Sequence, residues 1–320
     1  MLIPALVLTL AFAFSYVGAF HDPTPHQVPV AVVAPPAVVA QLNALPGDPL
    51  DARQASSRPG ALSDIQDREV YGAFDAATNR LFVASAANRA TAIALEQTFN
   101  RAAAARGKQA VRVIDVKPLP PKDSNGTAVF YAMVAWVFGG YIASTLIGLI
   151  GSPRSPSRRR AAARIGALAA HGVVAGILSV VILRACFDVF SGHVVALCAI
   201  AALTIFASGA ASAGIQAAAG PAGTGLVILL FVILGNAASG GPFARPLLPG
   251  LWRTVGGVLP PGACVDLARS ALFFDGSRMA GPILVLVAWA ALGTALALAL
   301  GGRIMDPVDV EARAAAGAAV

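Results

Sequence analysis

Residues 152–164 read SPRSPSRRRAAAR, a stretch that contains five arginines and no acidic residue. The chain is apolar and uncharged on both sides of it, over residues 128–150 and 165–183. Short segments rich in Lys and Arg stay on the cytoplasmic side of a membrane, because cationic segments resist translocation. The stretch therefore predicts a cytoplasmic loop between two membrane-spanning helices, and its arginines are Arg154, Arg158, Arg159, Arg160 and Arg164.

The composition of the whole chain also indicates an integral membrane protein. Hydrophobic residues make up 57% and charged residues 12%, and the mean hydropathy is +0.73. Six apolar runs are each close to the roughly 20 residues that a helix needs to cross the hydrocarbon layer. We therefore predict an α-helical polytopic protein with six transmembrane helices, at Leu2–Phe20, Ala128–Ile150, Ile165–Leu183, His193–Ala211, Ala222–Gly240 and Gly281–Gly301.

The arginine stretch also fixes the predicted orientation. With residues 152–164 inside, both termini are cytoplasmic, including a tail at 302–320, while residues 21–127 and the loop 241–280 lie outside. Residues 21–127 carry 11 basic and 10 acidic side chains, so the net charge of +7 comes mostly from the arginine stretch. The basic balance therefore predicts no nucleic-acid partner.

The first apolar run has two interpretations. It lacks an N-terminal basic residue and ends in Val17-Gly18-Ala19, a pattern that a signal peptidase accepts, so a cleaved signal is one alternative. The run continues to Phe20, which favours an uncleaved anchor, transmembrane helix 1. On both interpretations the chain from residue 21 onward is extracytoplasmic.

Residues 21–127 predict a small extracytoplasmic α/β domain, because strand and helix patterns alternate along them. The clearest helix is Asn88–Arg106, which carries an apolar stripe and ends before Gly107. The other predicted elements are strands at Val28–Val33, Tyr71–Phe74, Leu81–Ala84 and Val111–Val116 and helices at Ala37–Leu45 and Ala61–Val70.

Two groups of residues resemble those of a known family. The first reads REVYGAF (68–74), LFVASAA (81–87) and DVKPLPPKD (115–123), just before the apolar run at 128. The second reads ASGGP (238–242), LPGLWR (248–253) and LPPGA (259–263). In this order they resemble the YhgE/Pip (phage infection protein) group of bacterial membrane proteins, related to type-2 ABC transporter permeases. The resemblance extends from Val28 to Gly301.

This resemblance implies one span, an extracytoplasmic domain and a five-helix permease-like membrane domain at 128–301, in the bacterial plasma (inner) membrane. It also implies a paired membrane unit, such as a homodimer, and a separate cytoplasmic ATPase that docks around Ser152–Arg164 and Ser212–Pro221. The chain itself has no phosphate-binding loop: its one Gly-Lys pair, Gly107-Lys108, is followed by Gln109. The function implied is the permease subunit of an export system, and the resemblance leaves its substrate open. Because the spans present no charged, water-lined face, the sequence favours a lipid or another amphipathic substrate. The alternative is a non-transporting scaffold, receptor or secretion-accessory protein that binds partners through the extracytoplasmic domain.

Few residues suggest a chemical site. No catalytic, cofactor-binding or metal-binding residues are predicted, and neither is enzymatic activity, because the four histidines have no second ligand at helical spacing. His171 is a candidate polar site inside a predicted span, with a role in helix packing as the alternative. Cys186 and Cys264 fall in predicted outer segments, where an oxidising environment permits a disulfide.

The outer segment 241–280 and the small residues of the spans allow weaker expectations. Prolines divide the segment, and Trp252 and its basic neighbours favour short amphipathic helices at the outer membrane interface. Gly140, Ser144 and Gly148 recur every four residues, as do Gly172 and Gly176. Such faces permit close helix contacts, either within the chain or between two copies.

Overall fold

The computed structural model describes residues 2–190, 192–220 and 222–302. The predicted tail 302–320 therefore lies outside the described residues, apart from Gly302. In chain order the elements are α1 (Leu2–Phe20), β1 (Val28–Val33), α2 (Pro36–Asn43), β2 (Leu50–Gln54), α3 (Arg58–Gln66), β3 (Gly72–Asp75), β4 (Arg80–Val83), α4 (Arg89–Ala104), β5 (Arg112–Asp115), α5 (Ala128–Ile150), α6 (Arg158–Phe187), α7 (Val194–Ala219), α8 (Ala222–Val227), α9 (Asn236–Ala238), α10 (Gly250–Gly256), α11 (Pro260–Phe273) and α12 (Ala280–Leu300).

Within the described residues, five helices are long and apolar enough to cross a membrane: α1, α5, α6, α7 and α12. The sixth predicted span is shorter than expected. α8, a π-helical segment (Ile228–Gly235) and α9 continue as one apolar helix, Ala222–Ala238. It ends at a turn in which Gly240 has a φ of +79°, a conformation that glycine adopts without strain.

The arginine stretch is only partly a loop. α6 begins at Arg158, so four of the five arginines are helical and residues 151–157 alone connect α5 to α6. The Ser157 side chain caps the helix by accepting a hydrogen bond from the Arg160 amide at 3.2 Å, and the following alanines favour helix. α6 therefore has 30 residues, and the predicted span Ile165–Leu183 lies within it.

α7 is the central helix of the bundle. Gly140 on α5, Gly172 and Gly176 on α6, and Gly293 on α12 all lie against its backbone, so closely that an added Cβ atom would collide with it. Both small-residue patterns of the sequence analysis therefore supply close helix contacts within the chain. Without side chains at these points, the helices approach closely enough for extensive van der Waals contact.

The five strands form one sheet in the order β2-β1-β3-β4-β5. The β3–β4 pair is antiparallel, and the other three pairs are parallel. One apolar core covers each face: Leu95 and Phe99 of α4 are buried on one side, and Ala61 and Ile65 of α3 on the other. The sheet and its helices thus form a compact α/β domain between α1 and α5.

Strand β2 is the element of this domain that the sequence did not predict. It reads LDARQ, with Leu50 and Ala52 buried and Arg53 and Gln54 exposed, and it has a single neighbour, β1. An edge strand of this kind has little apolar pattern, because only one of its sides is paired and few of its side chains enter the core. Position, not composition, decides its conformation.

Asp75 holds one end of the sheet through a buried carboxylate. Its side chain is 6% exposed and pairs with Arg58, and it also accepts a hydrogen bond from the Ala77 amide at 3.0 Å. Burial opposes ionisation, but the bonds from Arg58, Thr78 and Ala77 outweigh it, so the pKa of Asp75 is lowered.

We expect Asp75→Asn to lower the free energy of unfolding of the fragment 28–117 by about 2 kcal/mol at pH 7, measured by urea unfolding. The folded pKa is depressed, so this stabilisation is present above the unfolded pKa of about 4 and is lost as pH falls through the folded value. The control is Asp51→Asn, which removes the exposed Arg53–Asp51 pair and should cost under about 0.5 kcal/mol. Equal effects of the two variants would contradict the assignment.

The segment 241–280 differs most from its prediction. α11 is almost wholly buried, with Cys264, Val265 and Leu267 inaccessible to solvent, and it packs against α5, α7 and α12. It begins at Pro260-Pro261, where the missing amide protons cost no hydrogen bond. The predicted surface helices are therefore wrong for this part: α11 belongs to the core of the bundle, because its apolar residues cover most of its circumference.

Candidate functional site

Polar and charged side chains concentrate at the two ends of the helical bundle. At the end away from the α/β domain, the Arg164 side chain is buried. It donates to the Ser144 carbonyl at 2.8 Å, the Ser144 hydroxyl at 2.9 Å and the Gln216 side-chain oxygen at 2.7 Å. One guanidinium thereby joins α5, α6 and α7, and a fourth bond, to the Pro153 carbonyl at 3.1 Å, fixes the loop before α6.

Arg154 holds the same loop against the end of α7. It donates to the carbonyl oxygens of Ala217 at 2.6 Å and Ala218 at 2.9 Å. These are carbonyls of the last helical turn, which lack partners within the helix and carry partial negative charge, so a cation is favourable there. The amide of Gly302, after α12, donates to the Ser155 carbonyl at 3.1 Å. Contacts with α6, with α7 and with the residue that follows α12 thus hold this loop in place.

The other three arginines of the stretch make no such bonds to the described residues. Arg158, Arg159 and Arg160 lie exposed on the first turn of α6. The structure thus divides the five predicted arginines into two that hold the bundle together and three that present positive charge on its surface. We call this end, residues 151–164 with the ends of α7 and α12, the arginine end.

At the opposite end, Asp266 of α11 joins the α/β domain to the bundle. One carboxylate oxygen accepts from Arg245 at 2.6 Å, and the other lies 3.3 Å from Arg68 of the α/β domain. Arg68 also donates to the Asp266 carbonyl at 2.8 Å and to the Ser270 hydroxyl at 2.6 Å. Its guanidinium lies over the Phe274 ring, 5.5 Å from the centroid, and Phe274 itself completes one core of the α/β domain. We call this region the domain junction.

A second contact at the domain junction converges on two carbonyl oxygens after α9. Buried Arg269 donates to Gly240 and Gly241, both at 2.7 Å, and Asn88 of the α/β domain donates to Gly241 at 3.2 Å. Burial, followed by the nearby charge of Arg68, lowers the pKa of Arg269 to about 10. The side chain therefore stays charged at neutral pH, and its charge is stabilised by the end of a helix.

The remaining predicted residues lie outside both sites. His171 is on an exposed face of α6, and among the described residues it has no side-chain hydrogen bond. All three cysteines are free thiols, so the structure does not contain the predicted Cys186–Cys264 disulfide. Cys186 is exposed near the end of α6, whereas Cys264 is buried on α11, which packs inside the bundle instead of lying in an open loop.

The domain junction is the site that sequence reasoning missed. A signal was available: Asp266 is one of only two acidic residues, with Asp275, in the segment 241–280, which also contains Arg245, Arg253, Arg269 and Arg278. An acidic residue among several arginines in an apolar segment needs a partner when it is buried. Its partner in the α/β domain, Arg68, is 198 residues away along the chain, and no sequence spacing identifies such a pair.

The fold agrees with the comparison to known families. The family model described as "ABC-2 family transporter protein" matches residues 1–299, nearly the whole chain. Comparisons with curated proteins and with solved structures found no match. The prediction of a multi-pass, permease-type membrane protein is confirmed at this level by the family and by the long apolar helices. The chain belongs to the ABC-2 family of transporter proteins.

Proposed function

We propose that the chain is the permease subunit of an exporter whose ATPase is a separate cytoplasmic protein, and that it belongs to the YhgE/Pip group within the wider family. The family match supports a transport role. The sequence lacks a phosphate-binding loop of its own, so on this proposal the energy of ATP reaches the chain through a protein contact.

The observation that carries the proposal is the construction of the arginine end. Arg158, Arg159 and Arg160 form an exposed cationic turn, directly beside a loop that Arg154 and Arg164 fix to three helices. A partner that bound the cationic turn would therefore act on α5, α6 and α7 together. Displacement of this end, relayed through the closely packed α7, would open and close a pathway between two such subunits. That is alternating access in a paired unit, such as a homodimer.

The proposal includes a definite placement in a bacterial plasma membrane. The arginine end faces the cytoplasm with both termini, following the charge rule, and the α/β domain, within residues 21–127, is extracytoplasmic. Ala222–Ala238 is proposed as the sixth span, since 17 residues is at the lower limit for crossing. We also propose that α1 is retained: Ser15 donates to the Ile233 carbonyl at 2.7 Å, so the helix is part of the bundle.

The ATPase partner is tested by purifying the tagged chain from its native membrane in mild detergent and identifying the proteins that accompany it. We expect a stoichiometric protein with a phosphate-binding loop. We also expect its loss when Arg158, Arg159 and Arg160 are all changed to Glu, and its retention when the exposed Arg101, Arg106 and Arg112 of the α/β domain are changed in the same way. Envelope or secretion proteins without an ATPase would favour the alternative, a scaffold, receptor or secretion-accessory protein.

The orientation is tested by cysteine labelling in intact cells, in a variant with Cys186, Cys198 and Cys264 replaced by Ala. We expect a cysteine at Ala77, on the exposed β3–β4 turn, to react with a membrane-impermeant maleimide. One at exposed Ser152 should react only after the cells are opened. The reverse pattern would overturn the orientation and with it the cytoplasmic position of the arginine end.

A further inference from the structure

A cleft of about 510 Å³ separates the α/β domain from the bundle at the domain junction. Arg68 and Tyr71 line it from the α/β domain, and Arg245, Asp266 and Arg278 line it from the other side. Its floor reaches Ala280, Gly281 and Pro282 at the start of α12. The volume is within the range of small-molecule sites, about 300–1,000 Å³.

The polar lining of the cleft has an excess of positive charge. Three guanidinium groups face a single carboxylate, and both oxygens of that carboxylate are already engaged, one by Arg245 and one by Arg68. Arg278 is exposed, and in the described part of the chain no carboxylate lies within 4.0 Å of it. Its recorded contact is a donation to the Arg68 carbonyl at 3.2 Å. Arg269, on the same helix as Asp266, adds a further buried charge.

The neutral groups of the cleft also suit an anion. Burial, as the largest influence, raises the pKa of Tyr71, so the phenol keeps its proton at neutral pH and can donate a hydrogen bond. Guanidinium forks and a hydroxyl are the donors that proteins use for phosphate and carboxylate groups. An uncompensated positive charge in a partly closed site attracts anions more strongly than the same charge in open solvent.

The cleft adjoins the apolar surface of the bundle. The next two residues of α12 after Pro282 are Ile283 and Leu284. Both are exposed, Leu284 by 68%. An amphiphile whose headgroup occupied the cleft would therefore have an apolar surface for its chains beside it. A free anionic solute would use the same guanidinium groups without that surface.

We propose that this cleft binds an anionic group, a phosphate or a carboxylate, through Arg68, Arg245, Arg278 and Tyr71. The bound group bridges the α/β domain and the bundle, so its presence favours the joined arrangement of the two over a separated one. This site does not depend on the proposed ATPase, since binding is measured on the purified chain alone.

The test uses the full chain purified in a neutral detergent. Native mass spectrometry measures retention of phosphatidylglycerol against phosphatidylcholine, and calorimetric titration measures binding of inorganic phosphate. Preferential retention of phosphatidylglycerol would support the site with a lipid headgroup as the source, and binding of phosphate alone would support it with a soluble anion. Binding of neither would overturn the proposal.

Variants connect the binding to this cleft. Arg278→Gln should weaken it by about tenfold or more, and Arg112→Gln, the same change at an exposed position outside the cleft, should leave it unaltered. Tyr71→Phe removes one donor and keeps the ring, so a smaller loss is expected, and it serves as a second variant if Arg278→Gln lowers the melting temperature. Unchanged binding in both Arg278→Gln and Tyr71→Phe would show that the anion binds elsewhere.

Discussion

Gly140→Ala is expected to lower the free energy of unfolding of the membrane bundle by about 3 kcal/mol or more. An added Cβ at Gly140 would overlap the Ile205 carbonyl and lie 2.9 Å from the Gly209 amide nitrogen of α7. Both are backbone atoms of the central helix, so no rotamer change can make room. α5 and α7 would have to separate, with loss of the contacts along their length. Thermal unfolding in detergent measures the effect.

The neighbouring residue supplies a matched control. Gly139 is also within α5, and a Cβ placed on it meets nothing within 4 Å. Gly139→Ala should therefore be neutral or stabilising by up to about 1 kcal/mol, because alanine is the better helix former. If both variants behaved alike, the close α5–α7 contact would be contradicted.

Arg164→Met is expected to cost about 3 kcal/mol of the same free energy. Methionine fills much of the space but donates nothing, so the Ser144 carbonyl loses its bond from Arg164 and Gln216 loses the closest partner of its side-chain oxygen. Lysine should restore little, because its ammonium group cannot match the planar fork that contacts two helices at once.

Arg159→Met is the control for Arg164→Met. It removes the same charge from the same helix at an exposed position, and we expect a change within about 0.5 kcal/mol. In co-purification we expect the opposite order: Arg159→Met should reduce recovery of the ATPase more than Arg164→Met does, because Arg159 is proposed to contact the ATPase. A stability loss at Arg159 equal to that at Arg164 would contradict the division of the arginine stretch.

The sequence was informative about the helices because long apolar runs can hardly form anything else. α1 and α5 have the predicted bounds, Leu2–Phe20 and Ala128–Ile150. α6 and α7 extend beyond the predicted spans Ile165–Leu183 and His193–Ala211, because charged and small residues continue a helix without difficulty. In the α/β domain, β1 was predicted from its apolar run, whereas the edge strand β2 has no such pattern.

The sites were less predictable than the helices. The arginine stretch was visible as a charge pattern, but composition does not indicate that Arg164 is buried and Arg159 exposed. That difference depends on which face of α6 lies against α7. The domain junction depends on Arg68 meeting Asp266, a pairing that exists only once the α/β domain has docked on α11.

Photo-crosslinking in living cells shows whether the arginine end contacts a separate ATPase. A photoreactive amino acid is placed at position 159, on the exposed turn of α6, and at position 77 in the α/β domain as the comparison. We expect a covalent adduct with a P-loop ATPase from position 159 and none from position 77. An ATPase adduct from position 77, or none from position 159 in a folded and inserted protein, would contradict it.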